Sequence, residues 1–344
     1  MKKSLSLFAI LVFSLQLFAW APPTYVETPQ LPGATLRVVG ANTRNYLYDF
    51  TADNAYCQDM DCFNRKTENM AKVFVYLQAD IVALCEIQQD NEILGYLVQA
   101  MNKEYGENVY DFVMDNSKYS KSGDNYGYIK CGFVYRKDKL TKGTWYSTNP
   151  SDTGFRTRMI VTCFTEKATN SKFVLSMNHF KAKSQYDTGE AARNAQANTL
   201  VNALKTNYGD PDILIMGDLN AELGEDCIQK LVNAGYADQM YKYDHSAYTY
   251  NFKGSYQMID HAMANSSMEK QIVGAYPFHI CTSGANVKYS DHDCYVVGLS
   301  LVGTAIDKVY ESDSKAERQL IYRNGVLLIQ VGDQLFDLMG RKVE

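Results

Sequence analysis

Residues 213–222 read ILIMGDLNAE. An apolar run is followed at once by Gly217 and Asp218 and, two residues on, by Asn220. A short, nearly continuous apolar run is the pattern of a strand buried on both faces. The polar residues then fall where the chain leaves the strand. A carboxylate and an amide two apart in extended chain share one face, although Gly-Asp-x-Asn is also a turn pattern.

The same construction recurs along the chain. DIVALCEIQ (80–88) ends near Glu86, and KFVLSMNHF (172–180) ends in Asn178 and His179. QMIDHAMAN (257–265) carries Asp260 and His261, and KYSDHDC (288–294) carries Asp291 and His292. Strands that repeatedly end in a carboxylate, amide or imidazole gather an acidic pocket. With two imidazoles, such a pocket suits hydrolysis of a phosphate ester. A hard divalent cation takes oxygen ligands and neutralises the charge growing on the phosphoryl oxygens.

Helices separate some of these strands. FNRKTENMAKVFVYLQ (63–78) puts Met70, Val73, Phe74 and Leu77 on one stripe, as a half-buried helix requires. NEILGYLVQAMNKEYG (91–106) and TGEAARNAQANTLVNALKTNYG (188–209) each stop at a glycine. DCIQKLVNAGY (226–236) is a shorter helix. Other strands, such as YIKCGFVYR (128–136) and MIVTCFTE (159–166), follow one another without a helix between. The expected class is α/β, with packed sheets flanked by helices rather than one doubly wound sheet.

Within each Asp-His pair, adjacent strand residues point to opposite faces. Asp260 is therefore expected to orient His292, with His261 structural. Which of His179 and His292 acts as acid and which as base stays open, and Asp218 is a rival base. His245 (KYDHSAY) reads as a loop residue and His279 (YPFHI) as a packed strand-end residue.

The N-terminus reads as an export signal. Met1-Lys2-Lys3 precedes the apolar SLSLFAILVFSLQLFAWA, and cleavage is expected after Ala21, with Ala19 the alternative. No cysteine lies near the cleavage site, so no lipid anchor is expected. An exported chain tolerates disulfides. Of eight cysteines, Cys57 and Cys62 in AYCQDMDCF are the expected bridge. Net charge is −5 and becomes −7 (32 basic less 39 acidic) once Lys2 and Lys3 are removed. That argues against a high-affinity nucleic-acid clamp, though not against an enzyme that meets a polyanion briefly. The expected boundaries are a signal peptide at 1–21, a catalytic domain at 30–303, a linker at 304–318 and a short β segment at 319–344.

Taken in order, these segments resemble the endonuclease/exonuclease/phosphatase superfamily through most of residues 34–301. The resemblance implies a four-layer α/β/β/α sandwich with a single active site. It implies Asn42, Glu86 and Asp291 as metal residues, and His179, Asp218, Asn220, Asp260 and His292 as catalytic residues. The implied metal is Mg²⁺ or Mn²⁺, with Ca²⁺ a further candidate. NHFKAKS, GDLNAE, YTYNF, MIDHAMAN and SDHDC look more narrowly like secreted bacterial extracellular nucleases. Tyr128 and Cys294 depart from that pattern. Lys130, Arg158, Lys181, Lys183 and Arg193 are then the candidate phosphate contacts. The implied protein is a secreted, periplasmic or surface-located endonuclease with little sequence preference that takes DNA, or RNA, as substrate; the alternative is a phosphatase or phosphodiesterase of lipid or inositol phosphates on the same scaffold. It is expected to be a monomer, without a membrane anchor or a protein partner. The tail QLIYRNGVLLIQVGDQLFDLMGRKVE resembles type IX sorting segments, notably in FDLMGRKV; a plain C-terminal hairpin is the alternative.

Overall fold

The computed structural model describes residues 31–51, 55–89, 92–115, 129–147, 159–184, 186–209, 211–283 and 285–301. Near the C-terminus it describes 318–323, 326–331, 334–336 and 342–343. The proposed leader at 1–21, Arg158, Tyr128 and all of the linker but its last residue lie outside these residues.

The described residues open with a β-α-β unit. Strand β1 (Leu36–Tyr46) runs into helix α1 (Met60–Tyr76) and returns as β2 (Ile81–Gln88), parallel to β1. The side chain of Asp59 caps α1 by accepting the Cys62 N–H at 2.8 Å. Met70, Val73 and Phe74 are buried on its inner stripe. Helix α2 (Glu92–Tyr105) leads to β3 (Tyr110–Met114) and β4 (Ile129–Arg136).

A second series follows: β5 (Leu140–Ser147), β6 (Met159–Glu166) and β7 (Lys172–His179). Helix α3 (Glu190–Tyr208) then crosses to β8 (Ile213–Asp218), which is parallel to β7. Helix α4 (Asp226–Asn233), strand β9 (Ala237–Asp238) and helix α5 (Gln239–Tyr243) come next. A small hairpin, β10 (Tyr250–Phe252) and β11 (Ser255–Gln257), precedes β12 (Asp260–Ala264). Helix α6 (Ser266–Glu269), β13 (Ile272–Phe278) and β14 (Cys294–Leu299) finish the series.

The strands form two six-stranded sheets, in the orders β13-β14-β1-β2-β4-β3 and β5-β6-β7-β8-β12-β9. Three apolar clusters fill the spaces between layers. One joins α1 and α2 to the first sheet, the second lies between the sheets, and the third joins α3 and α4 to the second sheet. The architecture is an α/β/β/α sandwich. Both faces of each central strand are buried, and this explains the unbroken apolar runs. No helix among the described residues is long and apolar enough to cross a membrane.

Strand β5 was not read from the sequence. Its central residues are exposed, and an edge strand facing water carries no continuous apolar run. The C-terminal residues form a separate antiparallel sheet of β15 (Arg318–Arg323), β16 (Val326–Val331), β17 (Gln334–Phe336) and β18 (Lys342–Val343).

Candidate active site

Period-two alternation decides which side chains reach the seam between the sheets. On β7, Phe173, Leu175 and Met177 face the other sheet, so His179 does too. On β8, Leu214 and Met216 face it and Asp218 continues the row; on β12, Ala264 and Ala262 lead back to Asp260. On β1, Leu36 and Val38 lead to Gly40 and Asn42. The ends of the parallel pairs β1/β2 and β7/β8 thus meet at one edge, where Asp260 also pairs in register with Asp218.

Glu86 reaches this edge by breaking the alternation. Val82, Leu84 and Ile87 all pack toward the helices, a step of three that requires an extra residue. The pairing of β2 with β4 shifts between Leu84 and Ile87, and Glu86 takes φ 58°. Arg44 (φ 48°), Asn45 (φ 51°) and Asn220 (φ 50°) also hold left-handed backbones here. Such conformations cost about 1–3 kcal/mol each for non-glycine residues and concentrate where function fixes them. Gly217 allows the sheet to close beside Asp218, because a Cβ there would overlap the Asn178 carbonyl oxygen.

The geometry centres on Asp218. Its Oδ2 lies 3.8 Å from His179 Nε2 and 3.8 Å from His292 Nε2. His179 Nε2 is also 3.5 Å from Glu86 Oε1. Asn42 Nδ2 donates to Glu86 Oε1 at 3.0 Å and to Asp218 Oδ2 at 2.9 Å. His292 Nδ1 meets Asp260 Oδ2 at 2.8 Å, and Thr249 Oγ1 donates to that same oxygen at 2.6 Å. The ring of Tyr250 stacks on that of His292 at 4.5 Å.

Burial raises the Asp218 carboxyl well above the usual carboxylate range; His292 opposes the shift, and Asp260 and Glu86 add to it. For His292, burial alone would lower the imidazole, but Asp260 and Asp218 raise it well above its ordinary value. Burial of acids this close together is the situation a cation relieves.

Several of the expected residues sit in surroundings that the sequence did not specify. Asn42 was expected to ligate metal through oxygen, but its Oδ1 accepts the Arg44 N–H at 2.8 Å and its Nδ2 faces the carboxylates. Ligation would require the amide turned over. Asp291 is not part of the carboxylate–imidazole groups Glu86/His179/Asp218 and Asp218/Asp260/His292, whose ligand atoms are close enough to share an ion. It is about one-third exposed and pairs with Arg44 Nε at 3.5 Å. Asn220 is not in extended chain after Asp218; its N–H donates to Asp218 Oδ1 at 2.9 Å and its Nδ2 to the Phe180 carbonyl at 3.2 Å.

Two of the expected phosphate cations are internal. Lys130 is 1% exposed, and its ammonium donates to the Asp115 carbonyl at 2.7 Å. Arg193 is 1% exposed; it donates to the carbonyls of Lys181 and Thr188 and bridges Glu225 Oε2 at 3.1 Å. It ties down the segment that follows His179. Lys183 is exposed but pairs with Glu225 at 2.5 Å, and Lys181 is half-buried.

Other groups at the site were missed. Arg44 and Thr249 carried no strand-end signal. Asp293 accepts N–H bonds from Ile280, Cys281 and Thr282 and the Nδ1 contact of His279 at 2.9 Å. It anchors the turn that delivers Asp291 and His292. The expected bridge between Cys57 and Cys62 is present.

A profile of the Endonuclease/Exonuclease/phosphatase family matches residues 43–291. The chain belongs to that family. Its members are metal-dependent phosphoesterases. No curated protein sequence matches it. Among solved structures it resembles an endonuclease/exonuclease/phosphatase from Bacteroides vulgatus at 17% identity, with TM-score 0.56, covering 77% of this chain and 98% of that one. It also resembles the mannosyl-6-phosphatase of Bacteroides thetaiotaomicron at 19% identity, TM-score 0.53, covering 78% and 100%. A third is D. rerio TDP2 complexed with single strand DNA product, at 17% identity, TM-score 0.51, covering 76% and 97%. At these identities the likeness concerns the fold.

Proposed function

We propose that this chain is a secreted, divalent-metal-dependent phosphodiesterase, an endonuclease that hydrolyses DNA, and RNA as well, with little sequence preference. The observation that carries the reading is the pair of imidazoles whose Nε2 atoms approach one Asp218 oxygen, each at 3.8 Å. That arrangement gives a phosphoryl group a proton-active side chain on two sides.

The donor set fits a hard divalent ion. Glu86 and Asp218 bring carboxylate oxygens together, Asn42 holds those oxygens close, and His179 Nε2 lies beside both. Glu86 and Asp218 would hold Mg²⁺ or Mn²⁺, with Ca²⁺ a further candidate. When bound, the ion neutralises charge that grows on the phosphoryl oxygens.

The remaining work falls to side chains. Asp260 fixes Nδ1 of His292 and favours the imidazolium, so Nε2–H donates to a phosphoryl oxygen. Asp218, whose Oδ2 lies between the two imidazoles, accepts the proton of the attacking water. His179 stands across Asp218 from His292 and gives a proton to the leaving oxygen. Export rests on the leader at 1–21, and surface sorting on the resemblance of residues 319–344.

Supercoiled plasmid, incubated beside a panel of phosphomonoesters and inositol and lipid phosphates, tests the reading. Nicking that stops in excess chelator and returns with Mg²⁺ or Mn²⁺ is expected. Release of phosphate from a monoester with no nicking would instead favour a phosphatase of the same scaffold. Full nicking in excess chelator would refute the metal requirement.

A further inference from the structure

We propose that the β10–β11 hairpin is a base-stacking subsite that takes an unpaired nucleobase of a single-stranded nucleic acid beside the cleaved phosphate. The proposal rests on the phosphodiesterase reading above and adds the substrate form.

A row of aromatic rings leads out of the site. Tyr250 lies over His292 with ring centroids 4.5 Å apart and planes 30° apart. Phe252 follows two residues later on the same strand face, 6.4 Å from Tyr250 and only 20° from parallel. The row is fastened at its inner end, because Tyr250 also forms a backbone bridge with His292. At its outer end Phe252 is 49% exposed, and Lys253 Nζ lies 5.2 Å from its ring centroid.

This exposure has no counterpart in packing. Phe252 belongs to none of the three apolar clusters. The hairpin is held by its turn, where Lys253 (φ 51°) and Gly254 (φ 92°) are left-handed and Asn251 Oδ1 accepts the Gly254 N–H at 2.8 Å. A half-exposed ring with a mobile lysine ammonium over it matches the chemistry of one nucleotide, in which the base takes the ring and the phosphate draws the cation off it. Bases inside a duplex keep their faces stacked on neighbours, so only an unpaired base can use the platform. The acidic chain, at net charge −5, gives little general attraction to phosphates, which leaves stacking a large share of affinity.

The test compares wild type, Phe252→Ala, Phe252→Tyr and Lys253→Ala. Substrates are a short single-stranded DNA, its duplex, and an oligomer of the same backbone in which every base is replaced by hydrogen. Loss of a stacking platform should raise KM on the single strand roughly 5- to 150-fold in Phe252→Ala, with kcat little changed. Phe252→Tyr should restore KM, Lys253→Ala should raise it more modestly and to the same degree on the baseless oligomer, which keeps its phosphates, and Phe252→Ala should leave cleavage of the baseless oligomer unchanged. Wild type should prefer the single strand to the duplex. Equal KM for wild type and Phe252→Ala on the single strand, or the same loss on the baseless oligomer, would overturn the subsite while leaving the nuclease reading intact. Failure of wild type to cleave any of the oligomers would instead overturn the nuclease reading, and the subsite with it.

Discussion

His292 and His261 both rest Nδ1 against a buried aspartate, Asp260 at 2.8 Å and Asp238 at 2.5 Å. Burial would lower each imidazole, and each is instead raised by its aspartate. They differ at the other nitrogen. His261 Nε2 meets the Ala221 carbonyl oxygen at 2.8 Å, so both of its ring nitrogens have partners within the fold. His292 Nε2 stands 3.8 Å from Asp218, outside hydrogen-bond distance and facing the seam. One couple is closed within the fold; the other is open at the candidate site, where the proposed function puts it to use. An Asp-His couple therefore says little by itself. The partner of the second nitrogen decides its use.

The largest effect is expected where the open couple meets the other imidazole. Asp218→Asn should lower turnover by about 10²–10⁴-fold, the range for a general acid–base group, with the melting transition still cooperative. Plasmid nicking rates beside a thermal melt check this; turnover within a few-fold of wild type would remove Asp218 from the proton path.

Next comes the closed couple. His261→Ala leaves Asp238 buried without its partner, and breaking such a pair costs about 3–5 kcal/mol. Denaturant unfolding should show that loss, while activity per folded molecule stays near wild type. The loss should also depend on pH. A raised folded-state pKa contributes stability that is full below the unfolded value of 6.5 and fades as pH rises through the folded value. The stability gap between wild type and His261→Ala should therefore shrink with rising pH. A gap that widens with pH would contradict a charged His261.

The smallest effect concerns support of the open couple. Thr249→Val removes the hydroxyl that donates to Asp260 Oδ2 at 2.6 Å. A hydrogen bond to a charged group is worth about 1.5–3 kcal/mol, so kcat should fall by roughly tenfold or more with KM held. A change confined to KM would place Thr249 with substrate binding rather than with His292.

The layers of the fold were legible because buried parallel strands leave unbroken apolar runs. The grouping at the candidate site was legible because such runs end at or near Glu86, His179 and Asp218, and because Asp260 opens the apolar run of β12. Opposite faces for Asp260 and His261 followed from strand period alone. What escaped depends on distant chain returning. Lys130 and Arg193 look like surface cations until Asp115 and Glu225 fold back onto them. The amide of Asn42 is oriented by the backbone of Arg44, itself bent into a left-handed turn. The stack of Tyr250 on His292 joins a hairpin to a turn after β13, and no local spacing encodes it.

The most direct test measures turnover of His292→Ala and His261→Ala side by side, on plasmid in Mg²⁺, at a temperature where both are folded. The account predicts a loss of about 10²–10⁴-fold for His292→Ala and near-wild-type turnover for His261→Ala. Comparable losses in both, or near-wild-type turnover in His292→Ala, would contradict it.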